Sequence, residues 1–207
     1  PAYRDARISR IYEGTNEINR MLIVEMMLKK AIKKELKIFS SIKQLRKELT
    51  LIMMGININV PKSKLKNEKQ AVCKLKKLAL LMLGIAVSKY KVKLVKEQEI
   101  LMRIADIIIE SYIAESSLLK TEKLIKKHGF ENCINEINMT QNGLQESLNI
   151  AKISSEEIIM ATSVGLKRKL LISIAKKLTY PLQINIKKIR RSISEKLQKD
   201  GKYSFSI

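Results

Sequence analysis

Residues 99–127 read EILMRIADIIIESYIAESSLLKTEKLIKK, with no glycine or proline. Leu101, Ile104, Ala105, Ile108, Tyr112 and Leu119 recur at helical spacing and share one face, while Arg103, Glu110 and Lys120 point elsewhere. The pattern predicts one long amphipathic helix. His128-Gly129 stops it, which gives His128 a helix C-cap position rather than a catalytic role. Upstream, residues 68–95 carry an inner stripe of Val72, Leu75, Ala79, Met82 and Ala86. The apolar run in that helix, Leu78 to Val87, falls far short of the about 20 residues a membrane span needs, so it reads as core.

The same reading extends in both directions. Residues 131–150 form a helix, and Ser154-Ser155-Glu156-Glu157 then reads as a fresh helix start, with hydroxyls and acids before Ile158-Ile159-Met160. Leu166 to Leu178 follows, broken at Pro181, and a basic helix from Ile184 to Lys199 ends at Gly201. Toward the N-terminus, residues 16–38 place Ile18, Leu22, Met26 and Ile32 on one side. Glu17 at the start and lysines at the end match the helix dipole. A second helix, residues 40–53, repeats Ile42, Leu45, Leu49 and Ile52. Gly55 to Asn67 reads as a loop. The expected fold is all-α, an antiparallel bundle of about six helices behind a short N-terminal tail, residues 1–14.

Composition narrows the function classes. Hydrophobic residues at 45% exclude a disordered polycation, and 4% aromatics without Trp argue against modules that stack single-stranded bases. Cys73 and Cys133 are too few for a disulfide scaffold or a cysteine zinc module. Both read as buried small hydrophobes in a reducing compartment. With His128 as the single histidine, a two-His metal site cannot form within the chain. Asp106 and Glu110 are spaced like a metal pair but have no histidine nearby, so they read as a solvated face, and no metal is expected. Tyr90, Tyr112 and the methionines lie at core spacing.

Lys+Arg number 41 against 20 Asp+Glu, a formal net charge of +21. The basic clusters at residues 29–37, 62–77, 89–96 and 186–191 are mostly Lys and spread over several elements, which argues against a nucleic-acid reader. Joint richness in Lys, Ile and Asn fits compositional drift in an AT-rich genome. No signal peptide is visible, and a start at Pro1 reads as a processed chain or a piece of a longer one.

One segment differs from anonymous bundle sequence. Residues 3–8, YRDARI, followed by residues 11–20, IYEGTNEINR, resemble the C-terminal signature of the acyl-CoA dehydrogenases. The stretches MLIVEMMLKKAIKKEL at 21–36, QEILMRIADIIIESYIAESSLLKTEKL at 98–124 and GLKRK at 165–169 resemble the bacterial very-long-chain type. That subgroup carries an extra helical domain. The resemblance therefore implies that residues 1–38 end the catalytic core and residues 39–207 form the appended domain.

It further implies α,β-dehydrogenation of a long-chain acyl-CoA in fatty-acid β-oxidation, with FAD as cofactor. Glu13 matches the family's catalytic base, which removes the α-proton while the β-hydrogen leaves as hydride to the flavin. A carboxylate suits that task when an apolar, dehydrated pocket raises its pKa. The family holds the thioester oxygen with the backbone N–H of this Glu and a flavin ribityl hydroxyl. Gly14 lets substrate approach the backbone. Thr15, Asn16 and Glu17 match the family's cofactor contacts at a helix start, although Gln or Asp is common where Glu17 stands. Arg4, Asp5 and Arg20 match the signature in structural roles. The resemblance also implies an electron-transfer flavoprotein as acceptor, a homo-oligomer, a cytoplasmic location and peripheral membrane contact, to which the basic Ile184 to Lys199 helix could contribute. Two other readings stand beside the enzyme: a basic helical module that binds anionic membrane or nucleic acid, and an inactive truncated relic.

Overall fold

The computed structural model describes residues 2–53 and 64–201. Among them are eight α-helices and no strand: α1 Ala2–Ile8, α2 Asn16–Ile32, α3 Ile38–Met53, α4 Lys66–Tyr90, α5 Gln98–His128, α6 Ile134–Thr162, α7 Gly165–Leu178 and α8 Ile186–Asp200. Short 3₁₀ turns at Lys91–Lys96 and Glu131–Cys133 join α4 to α5 and α5 to α6. Most of the loop expected at Gly55 to Asn67 lies outside the described residues, as do the side chains of Arg4 and Ile52. At its far end the loop is shorter than expected, because α4 already starts at Lys66.

The three long helices α4, α5 and α6 pack on one another, and their polar links show the directions. Lys69 pairs with Glu122 and Lys76 with Glu115, so numbers rise along α4 as they fall along α5. Arg103–Glu157, Ser147–Glu110 and Thr121–Thr140 run the same way between α5 and α6. Both pairs are antiparallel, as short connections require. α2 lies on α5, α3 on α4, α7 on α6 and α4, and α8 on α6. At the centre Leu75, Met82, Ile104, Ile107, Leu148 and Ile158 are fully buried. Each contributes about 1.5–3 kcal/mol of burial free energy. The expected stripe of α4 is buried at all five positions.

Other expectations are corrected. α5 keeps Leu101, Ile104 and Ala105 in the core with Ile108 against it, but Tyr112 is 72% and Leu119 56% exposed. The buried row instead passes through Ser111, Ala114, Leu118 and Thr121. Small hydroxyl residues fit there because each finds a partner nearby, across the helix pair or within its own helix. Thr121 and Thr140 hydroxyls are 2.6 Å apart, and Ser111 Oγ donates to the Ile107 carbonyl at 2.7 Å. For the same reason no helix begins at Ser154. α6 continues through it, with Ser154 and Ser155 buried and Ser155 Oγ donating to the Lys152 carbonyl at 2.9 Å.

The helix expected over residues 16–38 ends at Ile32, where Lys34 turns the chain at φ +63° before α3. The row that α2 turns inward is Met21, Val24, Leu28 and Ala31, while Ile18, Leu22, Met26 and Ile32 are exposed. The helix is apolar on both sides, so periodicity alone does not choose the face. The helix expected over residues 68–95 ends at Tyr90, and the expected tail contains α1. Cys133 is buried but Cys73 only half-buried. Tyr90 packs against the core, whereas Met26 and Met160 are exposed.

Candidate functional site

The site-bearing segment runs from the end of α1 into α2. After Ile8 the chain makes a tight turn, with the N–H groups of Ile11 and Tyr12 both donating to the Ile8 carbonyl at 2.9 and 3.1 Å. Glu13 then takes φ +57° and Gly14 φ +92°. Two consecutive left-handed residues reverse the chain sharply enough to leave Glu13 at the outside of the bend. A non-glycine residue in that region costs energy and persists only where neighbours enforce it.

Here the neighbours are identifiable. The Asn16 N–H donates to the Arg10 carbonyl at 3.2 Å, closing the loop across Glu13. Thr15 is the N-cap of α2, its Oγ1 accepting from the Ile18 N–H at 3.3 Å. Asn19 Nδ2 donates to the Gly14 carbonyl at 2.9 Å. The φ of Gly14 favours glycine, and a Cβ there would sit 2.9 Å from Asn19 Oδ1, so the Asn19 amide would have to shift. Thr15, Asn16 and Glu17 thus form the cap and first turn of α2, where Glu17 complements the dipole.

Glu13 itself is exposed. The apolar, water-excluding surround that the resemblance implies is therefore not built by the described residues of this chain. The outward face of α2 does border an apolar groove of about 590 Å³, lined by Ile18, Leu22, Ile32, Phe39, Val92 and Val95 among others.

Asp106 was expected on a solvated face with Glu110, and the structure corrects this. Arg20 Nε donates to Asp106 Oδ1 at 2.6 Å, and the Asp106 side chain is only 16% exposed. Arg20 Nη1 also donates to the Asn16 carbonyl at 3.3 Å. Arg103 approaches the other oxygen of Asp106 at 3.5 Å and donates to Glu157 at 2.5 Å. Glu110 accepts from Ser147 Oγ at 2.6 Å. A sequence signal for Asp106 existed: an acid inside the otherwise apolar IADIII run at residues 104–109 needs a cation to be tolerated. His128 ends α5, and Gly129 at φ +83° donates its N–H to the Ile125 carbonyl, the C-cap arrangement expected. Among the described residues no group of three or more His, Cys, Asp or Glu could hold a metal ion. Among the same residues no helix is long and apolar enough to cross a membrane.

Two family models match the chain, both described as acyl-CoA dehydrogenase, C-terminal domain; one covers residues 74–177 and the other residues 1–28. A Bacillus subtilis (strain 168) protein named probable acyl-CoA dehydrogenase is 37% identical over 206 residues, 98% of this chain and 34% of the relative. The crystal structure of acyl-CoA dehydrogenase complexed with FAD from Bacillus anthracis matches with a TM-score of 0.90 at 37% identity, covering 98% of this chain and 34% of that one. The chain thus spans about a third of the length of these relatives.

Proposed function

The chain belongs to the acyl-CoA dehydrogenase family, and on that premise we propose that it is the C-terminal part of an FAD-dependent dehydrogenase acting on long-chain acyl-CoA. The observation that carries this reading is the loop at Glu13. The backbone that carries this carboxylate makes a left-handed bend, closed by the Asn16 N–H on the Arg10 carbonyl and tied to the capped start of α2. Such a loop fixes the point from which one acid projects, which serves proton abstraction at a fixed carbon.

In this mechanism Glu13 takes the α-proton of the thioester onto its carboxylate. Gly14, with no side chain, lets the thioester lie against the loop backbone, and the Glu13 N–H donates to the thioester oxygen as charge develops on it. Thr15, Asn16 and Glu17 would hold the cofactor. The Asn16 and Ile18 N–H groups are already bonded within the loop, so the Thr15 hydroxyl and the Asn16 and Glu17 side chains would make the contacts to ribityl or phosphate oxygens. FAD, when bound, supplies acceptance of the β-hydrogen as hydride. The open apolar groove beside α2 is the face we assign to the remainder of the dehydrogenase fold, whose walls would exclude water from the site.

The turn at residues 33–37 supports a boundary at 38/39 between the end of the catalytic core and an appended helical domain. A place in fatty-acid β-oxidation, transfer of electrons to an electron-transfer flavoprotein, self-association, a cytoplasmic location and peripheral membrane contact complete the proposal; their support is the family signature and the very-long-chain-type segments. The test is Glu13→Gln in the native polypeptide. We expect flavin to stay bound and anaerobic bleaching by a long-chain acyl-CoA to slow by at least about 10²–10⁴-fold. Bleaching at the parental rate would remove Glu13 from the role.

A further inference from the structure

We propose that Asp106, on the appended bundle, is a positioning residue for Glu13, acting through Arg20. The inference rests on the dehydrogenase reading for its consequence on turnover, but its geometry is independent of that reading. The apolar row of α2 that packs inward, Met21, Val24, Leu28 and Ala31, begins after the first turn and carries no directional bond. The residues that hold the Glu13 loop, Thr15, Asn16 and Asn19, all lie before it. Among the described residues, the hydrogen-bonded link from that first turn to the bundle is Arg20 to Asp106.

Arg20 is suited to the task because a guanidinium donates in two directions at once. Nε holds Asp106 at 2.6 Å on α5, and Nη1 holds the Asn16 carbonyl at 3.3 Å in the first turn. Asn16 in turn donates to Arg10 on the far side of Glu13. The path from bundle to loop is therefore three bonds between named groups: Asp106 to Arg20, Arg20 to Asn16, Asn16 to Arg10. Asp106 is itself steadied from behind, since Arg103 lies at 3.5 Å and is anchored to Glu157 on α6. Charges alternate along Arg20, Asp106, Arg103 and Glu157, so the row crosses α2, α5 and α6 without a like-charge neighbour. At 16% and 32% side-chain exposure, Asp106 and Arg20 are screened less than a surface pair.

Two substitutions separate positioning from general stability. Asp106→Asn removes the charge that orients Arg20. Glu157→Gln breaks the far end of the row and leaves Arg20 on Asp106. In the native polypeptide, below its melting temperature, amide exchange at Ile18, Asn19 and Arg20 is measured together with kcat and KM. We expect Asp106→Asn to speed exchange at these amides by at least about tenfold and to lower kcat by about 10–100-fold with KM within about threefold, because misplacement of a base is felt at the transition state. Glu157→Gln should change neither quantity by more than about twofold. Arg20→Lys, which keeps the charge but loses the fork, should follow Asp106→Asn in exchange and kcat. Unchanged exchange in Asp106→Asn overturns the proposal. So does faster exchange with parental kcat, or an equal loss in Glu157→Gln. If the parent does not bleach with acyl-CoA while exchange still responds to Asp106→Asn, the clamp stands and the dehydrogenase reading has failed.

Discussion

At Gly84 an added methyl group would strike a neighbouring helix. The glycine lies buried in the middle of α4, and a Cβ there would sit 2.9 Å from Ile42 Cγ2 and 3.5 Å from Ile42 Cδ1 on α3. Carbon atoms prefer about 3.5–4.0 Å, so the closer contact must open by roughly 0.6–1 Å. Cγ2 is a branch at the Ile42 Cβ, and a β-branched residue in a helix has one strongly preferred χ1. Relief therefore requires α3 itself to move. Gly84→Ala should gain about 0.8–1.0 kcal/mol from helix propensity and lose about 1–3 kcal/mol from overpacking, a net destabilisation of about 1 kcal/mol. In an Ile42→Ala background the obstructing atom is gone. There the same change should stabilise by about 1 kcal/mol, a coupling of about 1–3 kcal/mol across the cycle. Urea unfolding followed by the helical signal would read the four midpoints, with m required to stay constant. If Gly84→Ala stabilises equally in both backgrounds, α3 does not lie on α4 at this glycine.

Two further expectations concern titratable groups. The Cys133 thiol is pushed up by burial and by the neighbouring Glu136 carboxylate, while Cys73 is only half-buried. Iodoacetamide at pH 8 should therefore modify Cys73 at least about tenfold faster than Cys133, and mass mapping that shows equal rates would contradict the packing. Burial lowers the Lys74 pKa from its ordinary 10.5. The unfolded chain then holds this proton more tightly, so the penalty is full below the folded pKa and fades as pH rises through it toward 10.5. Lys74→Met should raise the urea midpoint at pH 7 by more than it does at pH 10.5; an equal gain at both values would show that desolvation of the charge is not the cause.

The α4 stripe was legible because one side of that helix is apolar and the other is studded with lysines. Gly129, Gly201 and Pro181 mark helix ends by their own backbone chemistry, wherever the rest of the chain goes. The Glu13 segment was legible as a motif, and the helix expected from Asn16 is where α2 begins. Three readings went wrong for one reason. Ser154 looks like a cap, Asp106 like a solvated acid and Tyr112 like core only while it is unknown which face of each helix is buried. Ser155 bonds back within its own helix, Asp106 meets Arg20 from 86 positions away, and the space beneath α5 suits Ser111, Ala114 and Thr121.

The sequence by itself determined that this chain is helical, where α3, α5, α7 and α8 stop, and that Glu13 stands at the entrance to a helix. These follow from side-chain periodicity and local backbone preference, which act over a few residues. Which face of α2 turns inward, and what holds its first turn, was decided only in the tertiary structure. The α2 helix is apolar on two sides, and burial against α5 chose Met21, Val24, Leu28 and Ala31 over Ile18, Leu22, Met26 and Ile32. That choice brings Arg20 to Asp106, because a charge can be half-hidden at such an interface only when an opposite charge waits there.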